Sequence, residues 1–344
     1  MKKNNYFSLK FIRQESYREK DRLIFLDQTK LPLEENYIET GDYQRIAEAI
    51  EKLEVRGAPL IGIAAAYALA LSVKDVNDNY GDAFNKAYER LRETRPTAVN
   101  LFFALNKMKE EFEKVDAVKH PYESLLNKAE EIHKEDENYC AKIGRNGLAI
   151  FNKKSNVLTH CNTGRLATGG DGTAFNVIKT AFENGLVEFV YVDETRPLLQ
   201  GSRLTAFELE KCGIPFALQS DSSAAFLMKQ QKVDIVITGA DRIALNGDSA
   251  NKIGTYNLAL LSYHHNITFY IAAPSTTIDR TIASGEEIEI EYRNKSELLS
   301  IHGKQIASRD CEAFTPAFDV TPSHLITGII TEEGIFNFPY NFIK

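Results

Sequence analysis

From about residue 150 onward the chain repeats one pattern: a short apolar run rich in Val and Ile, a polar turn, then a helical stretch. The runs are NVLTH (156–160), VEFVYV (187–192), IPFALQ (214–219), VDIVIT (233–238) and ITFYIAA (267–273). A half-exposed strand alternates apolar and polar residues, so an uninterrupted apolar run needs cover on both faces. Runs of that kind alternating with helices require a parallel sheet between two helical layers. Residues 146–344 are therefore read as a Rossmann-like α/β domain.

The preceding part has a different period. DYQRIAEAIEKLEV, APLIGIAAAYALALSV (58–73), GDAFNKAYERLRE, AVNLFFALNKMKEEFEKV and YESLLNKAEEIHKEDENYCAKIGRNGLAIF read as helices. In the fourth, Leu101, Ala104, Leu105, Met108 and Phe112 recur at three- and four-residue steps and make one apolar face. The segment FSLKFIRQESYREKDRLIFLDQT ahead of them is expected to hold a few short strands. With 344 residues the chain exceeds one ordinary hydrophobic core. Two domains follow: 1–145, mainly helical with short amino-terminal strands, and 146–344.

A net charge of -7, from 41 Lys and Arg against 48 Asp and Glu, gives no field that would draw nucleic acid or anionic lipid. An anionic substrate must then be held by cations placed one by one. Cys140, Cys161, Cys212 and Cys311 show no metal-like spacing, and free thiols in a reducing compartment are expected. MKKNNYFSLKFIRQ lacks the continuous apolar core of a secretory signal, and the run 58–73 is shorter than a membrane span. A cytoplasmic protein without a membrane partner is the expectation.

The five apolar runs end in CNTG, DETRP, SDSSA, GADR and PSTT. Ligands of open α/β sheets bind beyond the carboxyl ends of the strands, so Cys161, Asp193, Glu194, Arg196, Asp221 and Asp241 are expected in one neighbourhood. Two readings of Cys161 stand side by side. It is a small buried apolar side chain, or a thiol activated by the amides of Asn162, Thr163 and Gly164 with a helix beginning nearby. Asp241 is likewise either a helix cap or partner of Arg242, or an acid or base beside that thiol.

GRLATGGDG is not a phosphate loop, because Gly170 and Asp171 stand where Lys and Ser/Thr belong. No GxGxxG follows any strand, which disfavours a dinucleotide enzyme. Candidate anion holders are Arg56, Arg95, Arg196, Arg203 and Lys252. Arg56 is the best placed, since Gly57 and Ala58 open a buried helix whose first amides join a guanidinium in a phosphate clamp. His160 adjoins the cysteine, His264 and His265 are expected to face solvent, and no histidine has metal-ligand spacing.

Taken together, RGAPLIGIAAAYALAL, TRPTAVNLFFAL, LTHCNTGRLAT, DETRPLLQGSRLTAFEL, ITGADRIALNGDSANKIGTYNLA and FYIAAPSTTID resemble the methylthioribose-1-phosphate isomerase family. The likeness runs from about Leu23 to FTPAFDVTPSHLITGIITEEGI near the carboxyl end. It implies a helical amino-terminal domain joined to a Rossmann-like domain, a homodimer, and conversion of a phosphorylated sugar, S-methyl-5-thioribose 1-phosphate, to the ketose phosphate in methionine salvage. It also implies that no metal or nucleotide cofactor takes part. The family's catalytic cysteine falls on Cys161 and its proton donor on Asp241. Its substrate-binding positions fall on Arg56, Gly57, Ala58, Arg95, Gln200, Asn251 and Lys252.

The implied chemistry fits the residue types. A sugar phosphorylated at the anomeric oxygen is locked as a ring, so opening it needs a proton on the ring oxygen. Asp241 supplies one if apolar surroundings keep it protonated. Hydrogen then moves from C2 to C1, through a Cys161 thiolate base or as a hydride in a dry site. Related members act on 5-deoxyribose 1-phosphate or ribose 1,5-bisphosphate, and the turn GRLATGGDGTAF departs from the usual methylthioribose pattern at Arg165 and Asp171. A C5 phosphate would want an extra cation, for which Arg165 is the candidate. A reading of another class is a non-catalytic regulatory subunit related to the translation-initiation exchange factor, in which the Cys and Asp pair is expected to be absent.

Overall fold

A computed structural model describes residues 6–13, 21–95, 98–115, 119–301, 303–308 and 310–342. The chain forms two compact units, Met1–Ala141 with Gly164–Gly172, and Lys142–Thr163 with Thr173–Lys344. Whereas the sequence pattern divides the chain once, near residue 145, the nine residues Gly164–Gly172 group with the first unit.

In the amino-terminal unit β1 (Leu9–Ile12), β2 (Arg22–Leu26) and β3 (Tyr37–Thr40) form an antiparallel sheet. The stretch expected to hold short strands thus does so on either side of residues 14–20, which lie outside the described residues. Helix α1 (Tyr43–Glu51) starts where the Asp42 carboxylate accepts the Gln44 amide, which satisfies one of the unbonded first-turn N–H groups. The Ala-rich α2 (Ala58–Lys74) is buried almost all round, as its lack of a polar face requires. Gly62 permits its close approach to a later helix, since a Cβ there would stand 2.6 Å from the Asn100 carbonyl oxygen. After α3 (Tyr80–Arg92), that helix, α4 (Val99–Lys114), buries Leu101, Ala104, Leu105 and Met108, with Phe112 packed against the same core.

Helix α5 (Tyr122–Asn146) turns a polar stripe onto the 164–172 segment. His133 lies 3.1 Å from the Tyr67 hydroxyl and 3.3 Å from the Gly169 carbonyl, and the Asp136 carboxylate accepts the Gly169 amide at 2.7 Å. A Cβ on Gly170 would meet Cβ of Cys140 at 2.8 Å, so the turn is seated against the helix backbone by its missing side chain. Burial pushes the Asp136 carboxyl up to about 6, with the Gly169 amide pulling the other way. A carboxyl whose pKa is higher folded than unfolded holds its proton more tightly in the folded state. Its stabilisation is present below pH 4 and is lost as pH rises through 6. Asp136→Asn, which keeps an acceptor for Gly169, should therefore remove a decline of roughly 2–3 kcal/mol between pH 4 and 7. Urea unfolding of both proteins across that range checks this; parallel curves would rule the titration out.

The second unit holds β4 (Ser155–Thr159), α6 (Ala174–Glu183), β5 (Val187–Asp193), α7 (Ala206–Cys212), β6 (Phe216–Gln219), α8 (Ala224–Lys229) and β7 (Ile235–Thr238). A short pair, β8 (Arg242–Ile243) and β9 (Ser249–Lys252), precedes α9 (Thr255–His265) and β10 (Thr268–Ala272). Then come α10 (Ser296–Leu299), β11 (Ser300–Ile301), β12 (Lys304–Gln305), β13 (Phe318–Thr321), β14 (Gly328–Thr331) and β15 (Gly334–Asn337). All five predicted runs are strands, parallel to one another in the order β10-β7-β4-β5-β6 within a seven-stranded sheet. The alternation did not reveal β14, parallel to β10, or the antiparallel edge strand β15.

Successive residues of these strands enter opposite cores. Val157, Ile235 and Ile237 pack with α6 and α7 residues Val177, Ile178 and Leu209, whereas Leu158 and Val236 pack with Met228 of α8 and Leu258 of α9. That double burial is why the runs are apolar throughout. The chain proceeds from β4 to β5 and β6 on one side, then returns to lay β7 and β10 on the other. The order therefore reverses between β4 and β7, and the carboxyl ends of these two strands flank the switch point, where α/β sheets open a crevice for ligands.

Candidate active site

Cys161 lies two residues beyond β4 and is buried. Its backbone is left-handed, at φ 63°, a region that non-glycine residues occupy only when their surroundings hold them there. The Cys161 amide donates to Oγ1 of Thr195 at 2.9 Å, and its carbonyl accepts Oγ1 of Thr205 at 2.5 Å. Thr195 is itself left-handed, at φ 65°, an outlier for a β-branched residue. The two Asp221 carboxylate oxygens fix it by accepting the amides of Thr195 and Arg196, each at 2.7 Å. Thr205 ends a single π-helical turn, Gly201–Thr205, and Asn162 donates to the buried Glu208 carboxylate at 2.6 Å. Such a turn inside a helix is frequent at functional sites.

The expected helix start beside the cysteine is displaced: α6 begins only at Ala174. The chain leaves at Thr163 and returns at Thr173, where the Thr163 carbonyl accepts the Thr173 amide at 2.8 Å and its hydroxyl accepts the Phe175 amide at 3.0 Å. Thr163 thus caps α6 from a distance in sequence, a contact invisible to local pattern.

Asp241 follows β7, whose end is tied to β4 by the Thr159 hydroxyl donating to the Ile237 carbonyl at 2.8 Å. Gly239 makes the turns meet, because a Cβ there would stand 2.6 Å from Cγ2 of Thr163. The Asp241 amide donates to the Ala250 carbonyl at 2.9 Å, fixing its main chain against β9. The turns bearing Cys161 and Asp241 therefore adjoin across the switch point, as their strand-end positions predicted.

Other expected residues of this unit divide by role. Gln200 is buried, and its Oε1 has no hydrogen-bond partner among the described residues. Asn251 donates to Oγ1 of Thr255 at 2.9 Å, and Lys252 donates to the Ala317 carbonyl at 2.7 Å beside the Phe318 ring. Arg196 donates to the Leu298 carbonyl at 2.9 Å and Arg203 to the Leu198 carbonyl at 3.2 Å. Asp193 and Asp221 serve the network around the cysteine, and the Glu194 amide pairs with the Gln219 carbonyl.

In the amino-terminal unit Arg56, Gly57 and Ala58 stand at the start of α2, where Gly57 has φ 93° and no side chain caps the helix. A Cβ on Gly57 would meet Ala167 at 2.5 Å, so only glycine fits between α2 and the 164–172 segment. Arg95 lies between α3 and α4 and is half-buried. Arg165 bonds Asp171 and the Tyr6 carbonyl and lies over the Tyr6 ring, so its charge is met inside the turn.

Sequence reasoning passed over His160. Its Nδ1 lies 3.0 Å from the Asp193 carboxylate and its Nε2 2.9 Å from the Ile253 carbonyl, with the ring buried. Burial alone would lower its pKa, but the Asp193 carboxylate outweighs that and raises it. His160, Asp193 and Asp221 bring three possible metal-ligand atoms within 4.8 Å. Those atoms are already engaged with one another and with main-chain groups, which is the arrangement of a hydrogen-bonded network. The available signal was a histidine next to a strand-end cysteine, which spacing alone does not separate from a core residue.

The initiation factor 2 subunit family model matches residues 54–338. The chain belongs to that family. A methylthioribose-1-phosphate isomerase of Caldicellulosiruptor saccharolyticus is 51% identical over 94% of this chain and 95% of its own length. One of Carboxydothermus hydrogenoformans is 49% identical over 94% and 96%. Among solved structures, 5-methylthioribose 1-phosphate isomerase from Pyrococcus horikoshii superposes with TM-score 0.89 at 40% identity, over 98% of this chain and 95% of that one. The delta subunit of translation initiation factor eIF-2B from A. fulgidus gives TM-score 0.85 at 39% identity, over 97% of each chain. The family thus spans both the enzyme and the regulatory-subunit readings. No helix among the described residues is long and apolar enough to cross a membrane.

Proposed function

We propose that this chain is an aldose-ketose isomerase converting S-methyl-5-thioribose 1-phosphate to S-methyl-5-thioribulose 1-phosphate, a step of methionine salvage. The observation that carries the reading is the meeting of the Cys161 and Asp241 turns at the switch point, in a chain about half identical to isomerases of that name. Asp241 donates the proton that opens the ring and takes up the O2 hydroxyl proton as C2 becomes the ketone carbonyl. Cys161, turned by its left-handed backbone, either takes the C2 proton and returns it to C1 or lines a dry site for a hydride shift. Solvent deuterium at C1 of the product, picked up by a thiol that exchanges between the two transfers, marks the proton route.

Arg56 with the amides of Gly57 and Ala58, and Arg95, are the phosphate holders offered by the amino-terminal unit, and Lys252 is the one offered by the second unit. Gln200 and Asn251 bind sugar hydroxyls, and the unmet Oε1 of Gln200 suits an O–H donor. An uncharged C5 group is favoured over a second phosphate because Asp171 already neutralises Arg165. With the family comes the further reading of a cytoplasmic homodimer working without metal or nucleotide.

The experiment offers purified protein methylthioribose 1-phosphate, 5-deoxyribose 1-phosphate and ribose 1,5-bisphosphate separately and measures ketose phosphate. The highest kcat/KM is expected with the methylthio sugar. Preference for the bisphosphate would reassign the substrate, and turnover of none would return the chain to the regulatory-subunit reading that its eIF-2B likeness keeps open.

A further inference from the structure

We propose that His160 is a positioning residue that stays doubly protonated through neutral pH and sets the Cys161 turn against the turn that follows Asn251 and Lys252. The inference rests on the proposed roles of Cys161 and Lys252. Its foundation is the pair of acceptors on one buried ring. The Ile253 carbonyl at Nε2 has no hydrogen to give, so Nε2 must carry one, and Nδ1 faces a carboxylate. The second Asp193 oxygen accepts Nε2 of Gln219 at 2.7 Å; burial pushes the Asp193 carboxyl up, against the pull of His160 and Gln219.

The two bonds reach different parts of the unit. Through Asp193 the ring grips the end of β5, whose carbonyl accepts the hydroxyl of Thr195, the residue that holds the Cys161 amide. Through Ile253 it grips the turn after β9, immediately beyond Lys252. That turn is shaped to the ring: Gly254 has φ 105°, and a Cβ there would stand 2.9 Å from Cε1 of His160. Asp319 on β13 holds the same turn by accepting the amides of Gly254 at 2.7 Å and Tyr256 at 3.1 Å. The charged groups facing His160 are Asp193 at the end of β5, Asp221 after β6 and Asp319 on β13; Lys252 of β9 lies beside Asp319. Three carboxylates against one lysine favour the imidazolium.

Asn places an amide where Nδ1 stood, and Gln places one where Nε2 stood, so the two bonds can be lost separately. His160→Asn keeps the Asp193 bond and releases the Lys252 turn, and should raise KM about tenfold with kcat within about threefold. His160→Gln keeps the Ile253 bond and leaves Asp193 short of its donor, and should lower kcat about tenfold or more with little change in KM. In wild-type protein labelled with 15N-histidine, both ring nitrogens of His160 should carry hydrogens from pH 6 to 8.

A neutral His160 ring at pH 7, equal losses of kcat and KM in both variants, or no loss in either would each overturn the proposal. If neither variant folds, the wild-type nitrogen shifts still decide it. Failure of the catalytic reading looks different: Cys161→Ser would turn over normally while His160 kept both hydrogens.

Discussion

Cys161→Ser and Asp241→Asn should each lower turnover of methylthioribose 1-phosphate by at least about a hundredfold, the usual scale for losing a positioned acid or base. Both replacements nearly conserve volume, so the folded state is expected to survive. Cys161 is held through its main chain, by Thr195 at the amide and Thr205 at the carbonyl, and neither bond involves sulfur. Asp241 is likewise anchored by its amide to Ala250. Steady-state kinetics alongside urea midpoints separate the two effects. Wild-type rates in either variant would reject that residue's role, and a large midpoint shift would make the loss structural.

The second large effect is expected at a residue that carries no chemistry. A Cβ on Gly201 would stand 1.7 Å from the Asp193 carbonyl oxygen and 2.9 Å from Oγ1 of Thr195. The carbonyl cannot retreat easily, because it accepts the Thr195 hydroxyl and Asp193 is buried against His160. Gly201→Ala must therefore move the segment from Thr195 to Thr205, whose two threonines hold the cysteine. It should destabilise by about 3 kcal/mol, in the range for an overpacked core site, and lower kcat/KM at least about tenfold by misplacing Cys161. Gly81→Ala is the control: nothing lies within 4 Å of its Cβ position in α3, so the change should be neutral or slightly stabilising. An unchanged midpoint for Gly201→Ala would mean that β5 and the π turn are not in the contact described.

The different legibility of these two sites has a physical origin. Cys161 and Asp241 stood out because a doubly covered parallel strand writes itself as a continuous apolar run, and the polar residue ending the run marks the ligand edge of the sheet. Leu101, Ala104, Leu105 and Met108 were legible for the same kind of reason, since a helix with one buried face repeats at its own period. Gly201, Thr195, Thr205 and His160 carry no period. The roles of Thr195, Thr205 and His160 depend on contacts across 33 to 93 positions of sequence, as in His160 with Asp193 and with Ile253.

The excursion Gly164–Gly172 makes the same point from the other direction. Its glycines fail the phosphate-loop pattern, and the structure gives Gly169 and Gly170 a packing use, against His133 and Cys140 of α5. Arg165, read as a spare cation, meets Asp171.

By itself the sequence determined the architecture, the strands that matter, and the residue types at their ends, because burial on both faces of a sheet constrains every position of a strand. The tertiary structure alone decided that β4 and β7 lie side by side, that Cys161 adopts a left-handed backbone, and that His160 bridges two turns. Those outcomes follow from hydrogen bonds and close packing between segments distant in the chain, where what each residue meets is set by the fold and not by its neighbours in sequence.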